Sequence, residues 1–177
     1  MKRVPLSGKQ KTIQAIWDWY EVQSTLSRRK RSEVLDGLHG DRPVSEPIFF
    51  GMSIEEIDEF FGELDYLAML DLLAAAEAAI RLDFLNRVYE RRKDDVSKHF
   101  RQLYKKQGHE VSLRDDILEA WKQLAPETRR AVGDFNGALN LRHWLAHGRY
   151  WAPRFGMEYS PGDVYDASHN LLEAIGA

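Results

Sequence analysis

Three side chains suited to acid–base and phosphate chemistry stand together in LRHWLAH, residues 141–147: Arg142, His143 and His147. A helix turns by about 100° per residue. Asn136, Asn140, His143 and His147, spaced four, three and four apart, therefore share one face. Ala131, Phe135, Ala138, Leu141 and Leu145 share another, and Arg142 falls on the shoulder between them. A polar face built of amides and imidazoles is unusual, because Asn and His are mediocre helix formers. Imidazole titrates near neutral pH and can accept or donate a proton. Guanidinium stays charged and presents a planar pair of donors to phosphate oxygens. The same residues also suit a cap, a bond to a neighbouring helix, or a solvated face. Spacing leaves both readings open.

His143 and His147 also have the i,i+4 spacing of helical zinc ligands. The metalloprotease motif requires Glu directly after the first His, and Trp144 stands there. The chain has no cysteine, so a third ligand would have to come from a distant Asp, Glu or His. We therefore expect no metal and no cofactor.

A second charged pair, Glu77 and Arg81, interrupts an otherwise apolar line of Leu70, Ala74, Phe84 and Val88. One reading is an i,i+4 ion pair worth about tenths of a kcal/mol. The other is that this line packs on the 141–147 helix and Glu77 holds Arg142 or a histidine in place. Arg87, Arg91, Arg92 and Lys93 read as a solvated helix end rather than a basic rim.

The surrounding elements are helical throughout. A first helix is predicted over residues 9–31, with Ile13, Ile16, Trp17 and Tyr20 on one side. It ends in RRKR, residues 28–31, cations that suit the negative end of a helix dipole or a bound phosphate. DGLHGDRPVSEPIFFG, residues 36–51, reads as a loop. SIEE, residues 53–56, is a capping box opening a long helix to about residue 94, with room for a break near Gly62. Ile57, Phe60, Leu64, Leu67, Leu70, Ala74, Ala78, Leu82, Leu85 and Tyr89 form its predicted core stripe. Further helices are expected over 96–106, ending at Gly108, and over 112–124, opened by SLRD and closed before Pro126. The helix carrying Arg142 should span 127–148, and a last one should start at Ser160 or Pro161. No strand pair or repeat is visible, so the fold class is all-α, a helical bundle with additional short helices in a single domain over 1–177.

Composition narrows the partners. The net charge of −3 excludes a broadly basic duplex-DNA coat and requires any nucleic-acid contact to be local. The most apolar stretch, YLAMLDLLAAAEAAI, is interrupted by Asp71 and Glu77 and is too short to span a bilayer. No membrane partner is expected, and a cytoplasmic location is.

RHWLAH resembles the R-x4-H signature of HEPN domains, in which a polar residue follows the arginine. LRHWLAHGRYW is more similar to the prokaryotic HEPN proteins of toxin and phage-defence systems. AAEAAIRLDFLNRV, residues 75–88, resembles the long helix that precedes the motif. The resemblance covers most of the chain at the level of fold and about a dozen residues at the level of motif. It implies a metal-independent endoribonuclease acting on RNA, formed by a homodimer whose motif helices meet at a twofold axis. It implies further that Arg142 stabilises phosphate charge and His147 is general base or acid. His143 would orient the pair or contact RNA, with Asn140, Glu77 and Arg81 as supporting residues of the cleft. A toxin or antiphage effector with a cognate antitoxin as partner is the implied setting. The alternatives are a non-catalytic HEPN-like nucleotide- or RNA-binding or assembly module, and a helical interaction protein in which the motif is structural.

Overall fold

A reciprocal cap starts the longest element. The Ser53 hydroxyl accepts the Glu56 N–H at 3.2 Å, and the Glu56 carboxylate accepts the Ser53 N–H at 2.7 Å. In the computed structural model, which describes residues 4–38, 40 and 46–177, six α-helices account for most of the chain. They are α1 (Ile13–Leu38), α2 (Ile54–Glu90), α3 (Asp95–Gln107), α4 (Glu119–Leu124), α5 (Arg129–Ala146) and α6 (Pro161–Ile175). A π-helical turn, Leu113–Leu118, leads into α4, and short 3-10 turns occupy Pro47–Phe49 and Pro126–Thr128. No strand occurs among the described residues. The all-α expectation holds. Within the loop expected over 36–51, residues 39 and 41–45 lie outside the described residues, as do residues 1–3.

α2 has 37 residues and at 1.5 Å per residue is about 55 Å long. It passes unbroken through Gly62. It stops at Glu90, short of residue 94, because Arg91 adopts a left-handed φ of 54° and the Arg92 N–H turns back to the Arg87 carbonyl.

Its core stripe is not the predicted one. Of that set only Ile57 and Leu85 are buried, while Phe60 and Leu67 are 46% and 59% exposed. The buried line is Met69, Leu72, Leu73, Ala76, Ile80, Phe84 and Val88, about two residues and hence about 200° further round. α2 carries Leu and Ala on more than one face. Periodicity finds apolar lines but cannot say which one α5 and α6 cover.

α1 runs antiparallel to α2, tied by Lys11–Asp71 at 3.0 Å, Tyr20–Asp65 at 2.8 Å and Arg31–Asp58 at 2.6 Å. It starts at Ile13 and continues to Leu38, so RRKR lies mid-helix and is not at the negative end of the helix dipole. Arg29 pairs with Glu33, Lys30 with Glu33 and Glu46, and Arg31 with Asp58, while Arg28 bonds Ser24.

Burial, then the bond to Asp65, raises the Tyr20 hydroxyl from 10.0 to about 12. The folded value lies above the unfolded one, so this contribution is complete below pH about 10 and lost as pH rises through about 12. Urea midpoints should therefore fall with pH in that window, less steeply in Tyr20→Phe. Parallel profiles for the two proteins would refute the coupling.

α3 and α6 follow prediction closely. Asp94 caps α3, and Gly108 ends it with φ 66°. Ser160 and Asp163 make a second capping box, with Pro161 in the first turn of α6 and left-handed Gly176 after its end. The principal core joins α1 through α6 around Leu72, Phe84, Phe100, Ile117, Phe135 and Leu171, and a smaller cluster gathers Val34, Phe49 and Ile57.

Arg87, read from sequence as solvated, is instead 9% exposed. Its Nε reaches both Asp83 oxygens at 2.8 and 2.7 Å, its Nη2 donates to the Ile175 carbonyl at 2.8 Å, and it lies 4.5 Å from the Trp121 ring centre. Among the described residues no helix is long and apolar enough to cross a membrane.

Candidate functional site

α5 sits on the core through Val132, Phe135, Ala138 and Leu141, all buried. Asn140, His143 and His147 face outward, with Asn136 and Arg142 half-buried beside them. The two-faced reading of this segment therefore holds. The helix ends at Ala146 rather than 148, and His147 is its C-cap, still closing the last turn through its N–H to the His143 carbonyl at 3.2 Å.

The chain then reverses. Gly148 and Arg149 both take positive φ, 76° and 57°, an uncommon conformation for a residue with a side chain. Two contacts hold Arg149 there. Its guanidinium forks onto Glu63 of α2 at 2.7 and 3.0 Å and lies 4.9 Å from the Tyr66 ring centre. The Trp144 indole N–H donates to the Trp151 carbonyl at 2.8 Å. Trp151 is thereby folded back over the imidazoles, with ring centres 5.7 Å from His143 and 6.4 Å from His147. The two imidazoles are themselves 4.3 Å apart.

α2 supplies the counter-charge. Glu77 bonds Arg81 Nε through one oxygen at 3.0 Å and meets Arg142 Nη2 through the other at 3.2 Å. Arg81 is anchored in turn by a bond from Nη1 to the Val111 carbonyl at 3.1 Å. Glu77 thus joins a guanidinium tied to backbone with one at the motif, and does more than make a local i,i+4 pair. Arg142 Nε is buried with no hydrogen-bond partner among the described residues.

The π turn supplies a further arginine. Ser112 accepts the Asp115 N–H at 3.1 Å, but its own N–H goes to Asp116 at 2.9 Å, one residue beyond a normal capping box because the π turn is wider. Arg114 on this turn donates from Nη2 to the Asn136 carbonyl and to Asn140 Oδ1, each at 2.8 Å. Asn140 therefore reaches the site with its carbonyl oxygen engaged.

These groups surround an open cleft of about 570 Å³ whose lining includes Glu77, Arg114, Asn140, Arg142, His143 and Trp151. Arg154 and Phe155 close one side. His147 does not line it but stands against His143. All six residues singled out from sequence thus gather at one junction of α2 and α5.

Comparison with family models, curated proteins and solved structures finds no match for this chain.

Arg114 and Arg154 carry no expectation from sequence as site residues. Arg114 was visible only as part of a helix start. Its relevance depends on the π turn and on α5 packing beside it. Three arginines face a single carboxylate in the cleft, although the chain is acidic overall. The cleft is therefore locally cationic and suits a phosphate group, with an imidazole at the same wall. Among the described residues no group of three His, Asp or Glu residues is placed to hold a metal ion.

Proposed function

We propose that this chain is an endoribonuclease of the HEPN type that works without a metal ion and acts as a homodimer. The observation that carries the proposal is Arg142, held by Glu77, with His143 on the wall of a cationic cleft and His147 against His143. The RNA 2′-oxygen attacks the adjoining phosphorus while one imidazole takes its proton. The bond from phosphorus to the 5′-oxygen breaks, and a second imidazole protonates that oxygen. The products are a 2′,3′-cyclic phosphate and a 5′-hydroxyl. Arg142 stabilises the charge that builds on the phosphate oxygens. His147 is the exposed terminal imidazole of α5, so a twofold axis at this helix end would bring two copies together and supply both proton carriers.

The deciding experiment is cleavage of single-stranded RNA by purified protein in EDTA, beside His147→Ala and Arg142→Lys. Wild type alone should cut and leave cyclic phosphate ends. Undiminished cutting by both folded variants would refute the assignment, and activity restored only by a metal would refute the metal-free mechanism. In a cell a toxin or antiphage effector of this kind would be cytoplasmic and held in check by an antitoxin. Growth arrest on expression that disappears with His147→Ala supports that setting.

Glu77 acts through Arg142 and is a positioning residue. Glu77→Gln leaves Arg142 without its anchor, and kcat should fall by about 10- to 100-fold with KM little changed. An equal loss in folded fraction and in activity would instead mark Glu77 as a purely structural residue.

A further inference from the structure

Several arginines among the described residues are neutralised. Arg29, Arg31, Arg81, Arg87, Arg92 and Arg149 each have a carboxylate partner within 3.1 Å. Arg114 and Arg154 have no carboxylate partner among the described residues, and both line the cleft. Arg114 is immobilised by two bonds to neutral acceptors, so its direction is fixed while its charge remains uncompensated. Arg154, exposed and also lining the cleft, makes no hydrogen bond or ion pair among the described residues.

The same cleft has an aromatic wall. Trp151 is half-buried, pinned through its carbonyl by Trp144, tilted against His143, and met edge-on by Tyr150 at 4.6 Å. Tyr150 itself is 82% exposed. An indole held by its backbone beside two uncompensated guanidiniums pairs a stacking surface with phosphate donors. That combination recognises a nucleotide whose base has left its stack. A cleft of about 570 Å³ is of the size that encloses one small ligand. A paired base, already covered on both faces, offers nothing to Trp151.

We infer that the cleft seats one unpaired nucleotide of a single-stranded RNA, its base against Trp151 and its phosphate between Arg114 and Arg154. This rests on the ribonuclease reading for the identity of the polymer. It goes further in assigning a subsite that flanks the reacting phosphate at Arg142 and selects unpaired RNA. Arg114 and Arg154 set affinity, and Trp151 sets the preference for an unstacked base.

The test uses a fluorescent single-stranded RNA with every 2′-hydroxyl methylated, which binds but cannot be cut, and its duplex with a complementary strand. Binding by the full chain is read as anisotropy against salt. The single strand should bind at least about 10-fold tighter than the duplex. Trp151→Leu should weaken it by about 10-fold, within the range for one stacked base, and Trp151→Phe should restore most of the loss. Arg114→Gln and Arg154→Gln should each lower the salt slope by about 0.7, whereas Arg29→Gln, a control on α1, should leave it unchanged. No measurable binding of the single strand, equal binding of the duplex, or wild-type binding by Trp151→Leu and Arg114→Gln would overturn the subsite.

The two readings fail separately. Predicted binding with no cleavage of unmodified RNA leaves the subsite and removes the ribonuclease. Cleavage unaffected by the Trp151 and Arg114 changes does the reverse.

Discussion

Asp83→Ala is expected to destabilise the protein by about 3–5 kcal/mol, the range for stranding one partner of a buried ion pair. Asp83 is 6% exposed and Arg87 9%. The carboxylate takes two contacts from one guanidinium nitrogen, at 2.8 and 2.7 Å. Burial raises the Asp83 carboxyl above its ordinary value, against the pull of Arg87, so the pair's own attraction offsets a large desolvation cost. Without Asp83 the guanidinium stays under Trp121 and the end of α6, with the Ile175 carbonyl as an acceptor and the carboxylate of Asp94 3.7 Å away. Replacing both residues, as Asp83→Leu with Arg87→Met, should recover most of the loss, because no charge is then left in the core. Urea unfolding followed by circular dichroism measures both. A single variant with a wild-type midpoint would show that the pair contributes little.

Activity should respond most to the motif itself. His147→Ala is expected to lower kcat by about 10²–10⁴-fold, the usual contribution of a positioned proton carrier. Arg142→Ala should lower it by about 10²–10³-fold, as for loss of one donor to a developing oxyanion. Both side chains are exposed or half-exposed, so the melting curves should hardly move, which separates chemistry from folding. The double variant should be barely worse than the more damaged single one, since groups that act on one transition state do not add. Arg142→Lys keeps the charge but loses the planar fork, and should cut no better than Arg142→Ala. Activity per chain should fall on dilution if two copies complete the site. A flat dilution series, or singles that cut at the wild-type rate, would remove the composite mechanism.

Much of the fold was legible because local chemistry dictates it. Ser53 with Glu56, Asp94, Gly108, Ser160 with Pro161, and Gly176 mark helix ends through hydrogen bonds and backbone freedom that reach only a few residues. Ser53 with Glu56, Gly108, and Ser160 with Pro161 stand where the sequence places them, whereas Asp94 and Gly176 were not singled out. The ends that moved lack such a marker. Nothing after RRKR stops α1, and Arg91, an unlikely residue for a left-handed φ, stops α2. The polar and apolar faces of α5 were legible for another reason. Its apolar residues occupy a single face, so only one orientation buries them.

The candidate site divides along the same line. The spacing of Asn140, His143 and His147, with Arg142 on the shoulder, follows from helical pitch and needed no tertiary knowledge. Glu77 and Arg81 were visible as a charged break in an apolar line, with Arg142 or a histidine as one candidate partner of Glu77 and a local ion pair as the other. That Glu77 meets Arg142 depends on α2 crossing α5 at that height. Arg114 was hidden because it lies on a π turn, and the return of Trp151 over the imidazoles depends on a reversal held by Glu63. Arg87 misled for the mirror-image reason. A charge near a helix end reads as solvated until an element distant in sequence covers it, here the last turn of α6.

By itself, then, the sequence determined an all-helical chain, its capped helix ends, and one helix that displays an arginine and two imidazoles together. Only the tertiary structure decided which face of α2 is core, which arginine is buried and which are left without a counter-ion, and that the motif borders a cationic, aromatic cleft. The physical reason is range. Caps and helical periodicity act over a few residues, whereas burial and charge pairing act between residues tens of positions apart, as Glu63 with Arg149 or Arg87 with Ile175.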